Sequence, residues 1–166
     1  MSDNRDTIFE KVVSGGQTGV DRGALDAALD LGHPCGGWCP RGRRAEDGRI
    51  PDRYPLQEHA SSAYRARTEA NVLDSDGTLV FCRGKPSGGT ALTIRLAHQH
   101  HKPCLVISLD GALDLKAMAR HIRSWGESHG IRVLNVAGPR ESENPGLQQL
   151  VAAVMREVLN RKEMQR

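Results

Sequence analysis

The chain has 166 residues, of which 26% are charged, 38% hydrophobic and 4% aromatic, with a formal net charge of +3. That length supports one domain with a sizeable core and not two ordinary ones. Mild, evenly spread charge and scarce aromatics supply neither the electrostatic footprint nor the stacking platforms of a nucleic-acid binder, so no nucleic-acid partner is expected.

The polar start Met1-Ser2-Asp3-Asn4-Arg5-Asp6 lacks the apolar core of a signal peptide, and no apolar run reaches bilayer length. A cytoplasmic protein with no membrane partner is expected, and residues 1–7 read as a flexible N-terminus. A β-branched run from Ile8 to Val13 reads as a strand. It ends at the glycine turn Ser14-Gly15-Gly16-Gln17-Thr18-Gly19-Val20-Asp21, after which Val20, Ala24, Leu25, Ala28 and Leu31 recur at helical spacing.

A second strand is expected around Gly36, Gly37 and Trp38, followed by a long polar segment from Pro40 to Pro55 that reads as a functional loop. Helix formers run from about Ser62 to Leu73. The apolar run from Thr78 to Arg83 then predicts a third strand, feeding a second glycine turn, Lys85-Pro86-Ser87-Gly88-Gly89-Thr90-Ala91-Leu92-Thr93.

The helix after that turn carries Ala91, Leu92, Ile94, Leu96 and Ala97, and residues 103–109 read as a strand buried on both faces. An amphipathic helix from Leu115 to Trp125 with Gly130 as its stop, a fifth strand from Ile131 to Val136 and a helix from Pro145 to Leu159 complete the pattern. Strands alternating with helices imply the doubly wound α/β class: a parallel sheet of about five strands with helices on both faces, in a single domain over residues 1–166. An order of 2-1-3-4-5 is expected, because it makes the two strands that feed the glycine turns neighbours and puts a ligand crevice between them.

Each glycine turn follows a strand and opens a helix, so main-chain N–H groups and a positive helix end can meet an anion. Gly15, Gly16 and Gly19 free the backbone, Gln17 and Thr18 offer hydrogen-bonding side chains, and Ser87, Gly88, Gly89 and Thr90 repeat the device. Neither turn matches the dinucleotide fingerprint or the Walker pattern. Asp21 would repel a phosphate in direct contact and suits a sugar hydroxyl, a ring nitrogen or a metal-bound water.

In the polar loop Arg43, between Arg41 and Arg44, is a candidate phosphate contact on a ligand lid, as is Arg140 after the fifth strand. Glu69 is the acid/base candidate by residue type. Cys35, Cys39, Cys82 and Cys104 lack zinc-ribbon spacing and read as reduced and structural. His98, His100 and His101 read as a surface cluster, so no protein-ligated metal is expected.

The stretches Ser14-Gly15-Gly16-Gln17-Thr18-Gly19-Val20-Asp21-Arg22, Gly37-Trp38-Cys39-Pro40 with Gly42-Arg43, Arg67-Thr68-Glu69 with Asn71-Val72, Ser87-Gly88-Gly89-Thr90, and residues 135–142 together resemble the putative molybdenum carrier family. The resemblance spans nearly the whole chain. It implies a Rossmann-like fold, in a superfamily that also holds LONELY GUY-type phosphoribohydrolases, and a phosphorylated small-molecule ligand, either molybdenum cofactor or a purine nucleotide.

The hydrolase branch of that superfamily carries a glutamate after its second turn, and the corresponding spacing here leads to Arg95. Holding the ligand is therefore expected over cutting it. The alternatives are a nucleotide-processing hydrolase, with Glu69 or Asp21 as its carboxylate, and a nucleotide-sensing module. A homo-oligomer pairing through helical faces is also expected.

Overall fold

The computed structural model describes residues 8–160, and the expected flexible segment 1–7 lies outside the described residues. In chain order the elements are β1 (Lys11–Val13), α1 (Val20–Asp30), β2 (Cys35–Gly36), β3 (Trp38–Cys39), β4 (Arg44–Ala45), β5 (Gly48–Arg49) and β6 (Gln57–Glu58). There follow α2 (Tyr64–Leu73), β7 (Gly77–Cys82), α3 (Gly88–Gln99), β8 (Cys104–Ser108), α4 (Leu115–Ser128), β9 (Val133–Ala137) and α5 (Leu147–Leu159).

The central sheet has five strands in the order β2-β1-β9-β7-β8, and every pairing in it is parallel. Side chains alternate across it. Val12, Leu79, Phe81, Leu134 and Val136 join the main core with residues of α1, α4 and α5. On the other face Val72 of α2 packs with Leu96 and Ala97 of α3. Helices on both faces explain why all six positions of β7 are buried. None of the described helices is long and apolar enough to cross a membrane.

The expected strand order is corrected. Numbered by the five strands of the sheet, the order is 2-1-5-3-4, with the last strand in sequence inserted between the two that feed the glycine turns. Leu134 pairs with Val12 on one side and Gly77 on the other. The expectation failed because sequence order does not report spatial order when a long crossover intervenes. The arrangement is that of a 3-2-1-4-5 doubly wound sheet whose first strand has moved behind the other four in sequence. Asp76 fixes the insertion, since its Oδ2 accepts from Arg132 N at 3.0 Å and Val133 N at 2.8 Å, tying the start of β9 to the start of β7.

The polar segment is more ordered than a loop. It holds the β4–β5 hairpin and leads to β6, which pairs with β3. A third cluster of Leu25, Cys39, Ile50 and Tyr54 pins this strap to α1.

Candidate functional site

The carboxyl ends of β1, β9 and β7 open into a cavity of about 250 Å³. Gly15, Gln17 and Asp21 line it from the first turn, Asn135 to Arg140 from the end of β9, Gly89 and Thr90 from the second turn, and Tyr64 and Arg67 from α2. A second cavity of about 250 Å³ shares Thr90, Pro139 and Glu143 with the first and is bordered by Arg83, Lys85 and Ser87. The two glycine turns thus serve one region, with the loop after β9 between them.

The two turns differ in what they offer. In the first, the main-chain donors of residues 17–20 are already taken. Gln17 N donates to Asp21 Oδ2 at 3.2 Å, Thr18 N to Gln17 Oε1 at 3.1 Å, Gly19 N to Gln148 Oε1 at 3.1 Å and Val20 N to Pro139 O at 3.2 Å. Asp21, 5% exposed, occupies the place of an external anion there. Its Oδ2 also accepts from Arg67 Nη1 at 3.1 Å. Burial pushes the Asp21 carboxyl above its ordinary value, against the pull of Arg67 and the bond from Gln17. Gly15 is required by close approach, because a Cβ there would stand 1.3 Å from Arg67 Nη1.

The second turn is open. No side chain caps α3, a Cβ on Gly88 or Gly89 would meet nothing within 4 Å, and the first-turn amides are the orphan donors of a helix N-terminus. Thr90 is 6% exposed, lines both cavities, and its hydroxyl bonds to no group among the described residues. Asp110 supports the approach to this turn, accepting from Gly84 N at 2.8 Å.

Arg43 is not at the site. It is buried, and its guanidinium donates to Ile50 O at 3.0 Å, Leu56 O at 3.3 Å, Pro51 O at 2.8 Å and Tyr54 O at 3.0 Å. Its planar fork organises the strap, and it lines neither cavity. The strap meets the site through Glu46, whose carboxylate accepts from Thr18 Oγ1, from Ser142 N at 3.1 Å and from Ser142 Oγ at 2.5 Å. Asp47 takes a bidentate bond from Arg22 at 2.5 and 2.8 Å.

Arg140 does line the cavity, half-exposed between Glu46 at 3.9 Å and Glu143 at 3.7 Å. Glu69 lies off the cavity lining and faces His100 Nε2 of α3's end at 3.3 Å. Gly16, Gly19 and Gly88 shape the turns without lining the main cavity, and Ser87 borders the second.

Three residues carry roles the sequence reading left unassigned. Asn71 clamps β3, accepting from Trp38 N at 2.8 Å and donating to Trp38 O at 2.9 Å. Arg67 keeps a buried Nε with no hydrogen-bond partner beside the cavity. Asn135 lines the cavity and donates to Thr78 Oγ1 at 3.2 Å. An asparagine inside the apolar run Val133-Leu134-Asn135-Val136-Ala137 was the available signal, since a polar side chain at a buried strand position needs a reason.

A crevice at the carboxyl ends of a doubly wound sheet, beside the strand where the order reverses, defines a ligand-binding protein of the Rossmann-like α/β class. The profile of the circularly permutated YpsA SLOG family matches residues 12–159, and the chain belongs to that family. The displaced β9 is the structural counterpart of that description. The crystal structure of a protein named putative molybdenum carrier protein, from Syntrophus aciditrophicus SB, is 49% identical. The match covers 92% of this chain and 96% of the other, with a TM-score of 0.88. No curated protein matches.

Proposed function

We propose that the protein binds and carries an anionic, phosphate-bearing small molecule, with molybdenum cofactor as the ligand that the carrier name of the neighbour from Syntrophus aciditrophicus supports. The observation that carries this reading is the unpartnered hydroxyl of Thr90, a largely buried residue that lines both cavities on the open N-terminus of α3. The phosphate goes to the second turn, where orphan amides, Thr90, Arg83 and Lys85 match its charge.

The heterocycle goes to the main cavity, where Gln17, Asn135 and Arg67 supply donors and acceptors for a ring edge. A purine nucleotide presents the same two chemistries and is the second ligand to test. The donor set fits a phosphorylated heterocycle, and any metal would arrive as part of the cargo. Asp21 and Arg67 keep the first turn closed to a second phosphate, which favours one phosphate over three.

Calorimetric titration with molybdenum cofactor, AMP, ADP-ribose and inorganic phosphate tests the reading. Saturable binding by a phosphorylated heterocycle, weakened in Thr90→Val and Lys85→Ala, is expected. No saturable binding by any of them overturns it. Chromatography of AMP after incubation then separates holding from cutting, since carriage releases no free base.

A further inference from the structure

The central sheet has two edges, and they differ. The β2 edge is two residues long, whereas β8 spans five residues, Cys104-Leu105-Val106-Ile107-Ser108, and packs against β7 and α3. Thr78 N donates to Pro103 O at 2.9 Å and Leu109 N to Cys82 O at 2.8 Å, so the odd-numbered positions direct their main-chain groups inward to β7. Alternation then points the N–H and C=O groups of Cys104, Val106 and Ser108 outward.

Natural edges of this kind are blunted by charge, proline or a bulge. None of those stands within β8, and Val106 on its surface is 41% exposed.

We infer that β8 pairs antiparallel with β8 of a second copy of this chain about a twofold axis through Val106, fusing two five-stranded sheets into one. The register is self-consistent. Centred on Val106, it sets Cys104 opposite Ser108, so all three outward-facing residues meet outward-facing partners and exchange about six main-chain hydrogen bonds. The same register sets Lys102 of each copy opposite Asp110 of the other, giving two complementary charge pairs at the ends of the ribbon.

Asp110 uses Oδ2 for Gly84 N and Ser108 Oγ, and Oδ1 accepts no hydrogen bond among the described residues. Lys102 Nζ donates to Ser75 O at 2.8 Å and Leu73 O at 3.4 Å and has a third N–H to give. A twofold on Leu105 or Ile107 would instead face residues whose main-chain groups are committed to β7. A twofold on Cys104 would set Lys102 against Val106. The contact is isologous, so it closes at two copies and leaves no strand edge of β8 for a third. It does not depend on the ligand.

Light scattering on the full chain, across micromolar to millimolar concentration, gives the test. A species of twice 18.1 kDa is expected. Val106→Pro removes an N–H that points only outward, and proline is tolerated on an edge strand, so the fold has no internal bond to lose there. Val106→Lys places like charges across the axis. Both variants are expected to weaken dimerisation at least tenfold with an unchanged circular dichroism spectrum, and Val106→Cys is expected to give a covalent dimer under mild oxidant. A wild-type chain that stays monomeric, including one whose edge takes a strand from another protein instead, overturns the inference. So does a dimer equally tight in both disrupting variants.

Discussion

Replacing Arg43 by alanine removes one guanidinium that bonds to four main-chain carbonyls. The bonds to Ile50 O and Tyr54 O are buried, and those to Leu56 O and Pro51 O are partly buried, so water can reach only the second pair. Stranding a buried acceptor costs about 1–3 kcal/mol. Two such acceptors, with partial loss from the other two, give a destabilisation of about 4 kcal/mol.

For a chain of this length that corresponds to a fall of roughly 8–16 °C in Tm. Arg43 also holds φ at 53°, in the left-handed region, and those bonds keep it there. Urea denaturation of Arg43→Ala against the parent measures the loss, and hydrogen exchange should localise it to residues 40–58. A loss below about 1 kcal/mol, within the range of an ordinary surface substitution, with ligand affinity abolished, would refute the structural role and return Arg43 to the ligand.

Three further outcomes follow from the site. Thr90→Val should lower affinity for a phosphorylated ligand about tenfold, or ~1.4 kcal/mol, with the melting temperature unchanged, as read by calorimetry. Gly15→Ala should expel Arg67 from Asp21, given the 1.3 Å approach, and lower stability by roughly 3 kcal/mol in urea denaturation. The bond from Arg22 holds the Asp47 carboxyl below its ordinary range. Burial would raise that of Glu46, but the bonds from Ser142 and Thr18 outweigh it and hold it low as well. Both carboxyls are depressed in the folded state, so the strap's docking is fully supported above the ordinary carboxylate range and lost as pH falls through their folded values. The Ser142 amide NMR signal should move over that acidic window, and in Glu46→Gln the Glu46 share of that movement should disappear.

The alternation of strand and helix was legible because the apolar runs that end before Ser14 and Arg83 lead into glycine turns, and Gly130 stops a helix, so the segments carry their own punctuation. That both glycine turns follow strands and open helices was legible for the same reason, whereas the expected direct pairing of their strands was not found, because β9 stands between them. Spatial order was not, since nothing in residues 133–137 says which strands flank them; Asp76, which docks that strand, reads locally as an ordinary turn residue. The place of Arg43 was not legible because an arginine in a polar segment has the same sequence signature whether it binds phosphate or four carbonyls of its own backbone. Its burial is set by Ile50 and Tyr54, which pack against Leu25 from a distant helix. Asn71 and Glu46 went unassigned because their partners, Trp38 and Ser142, are remote in sequence and the bonds form only once the layers close.

The position of β9 bears on how the molecule is made. It is the last of the five strands to leave the ribosome and the middle one in space, pairing Val12 with Leu134 across most of the chain. Without it, β2–β1 and β7–β8 share no strand pairing, and β1 and β7 each keep an edge open to the same insert. The end of β9 and the loop after it, residues 135–140, come with it and line the main cavity. The nascent chain therefore has both glycine turns long before it has a place for a ligand between them. Completing the sheet and completing the cavity therefore require the same strand.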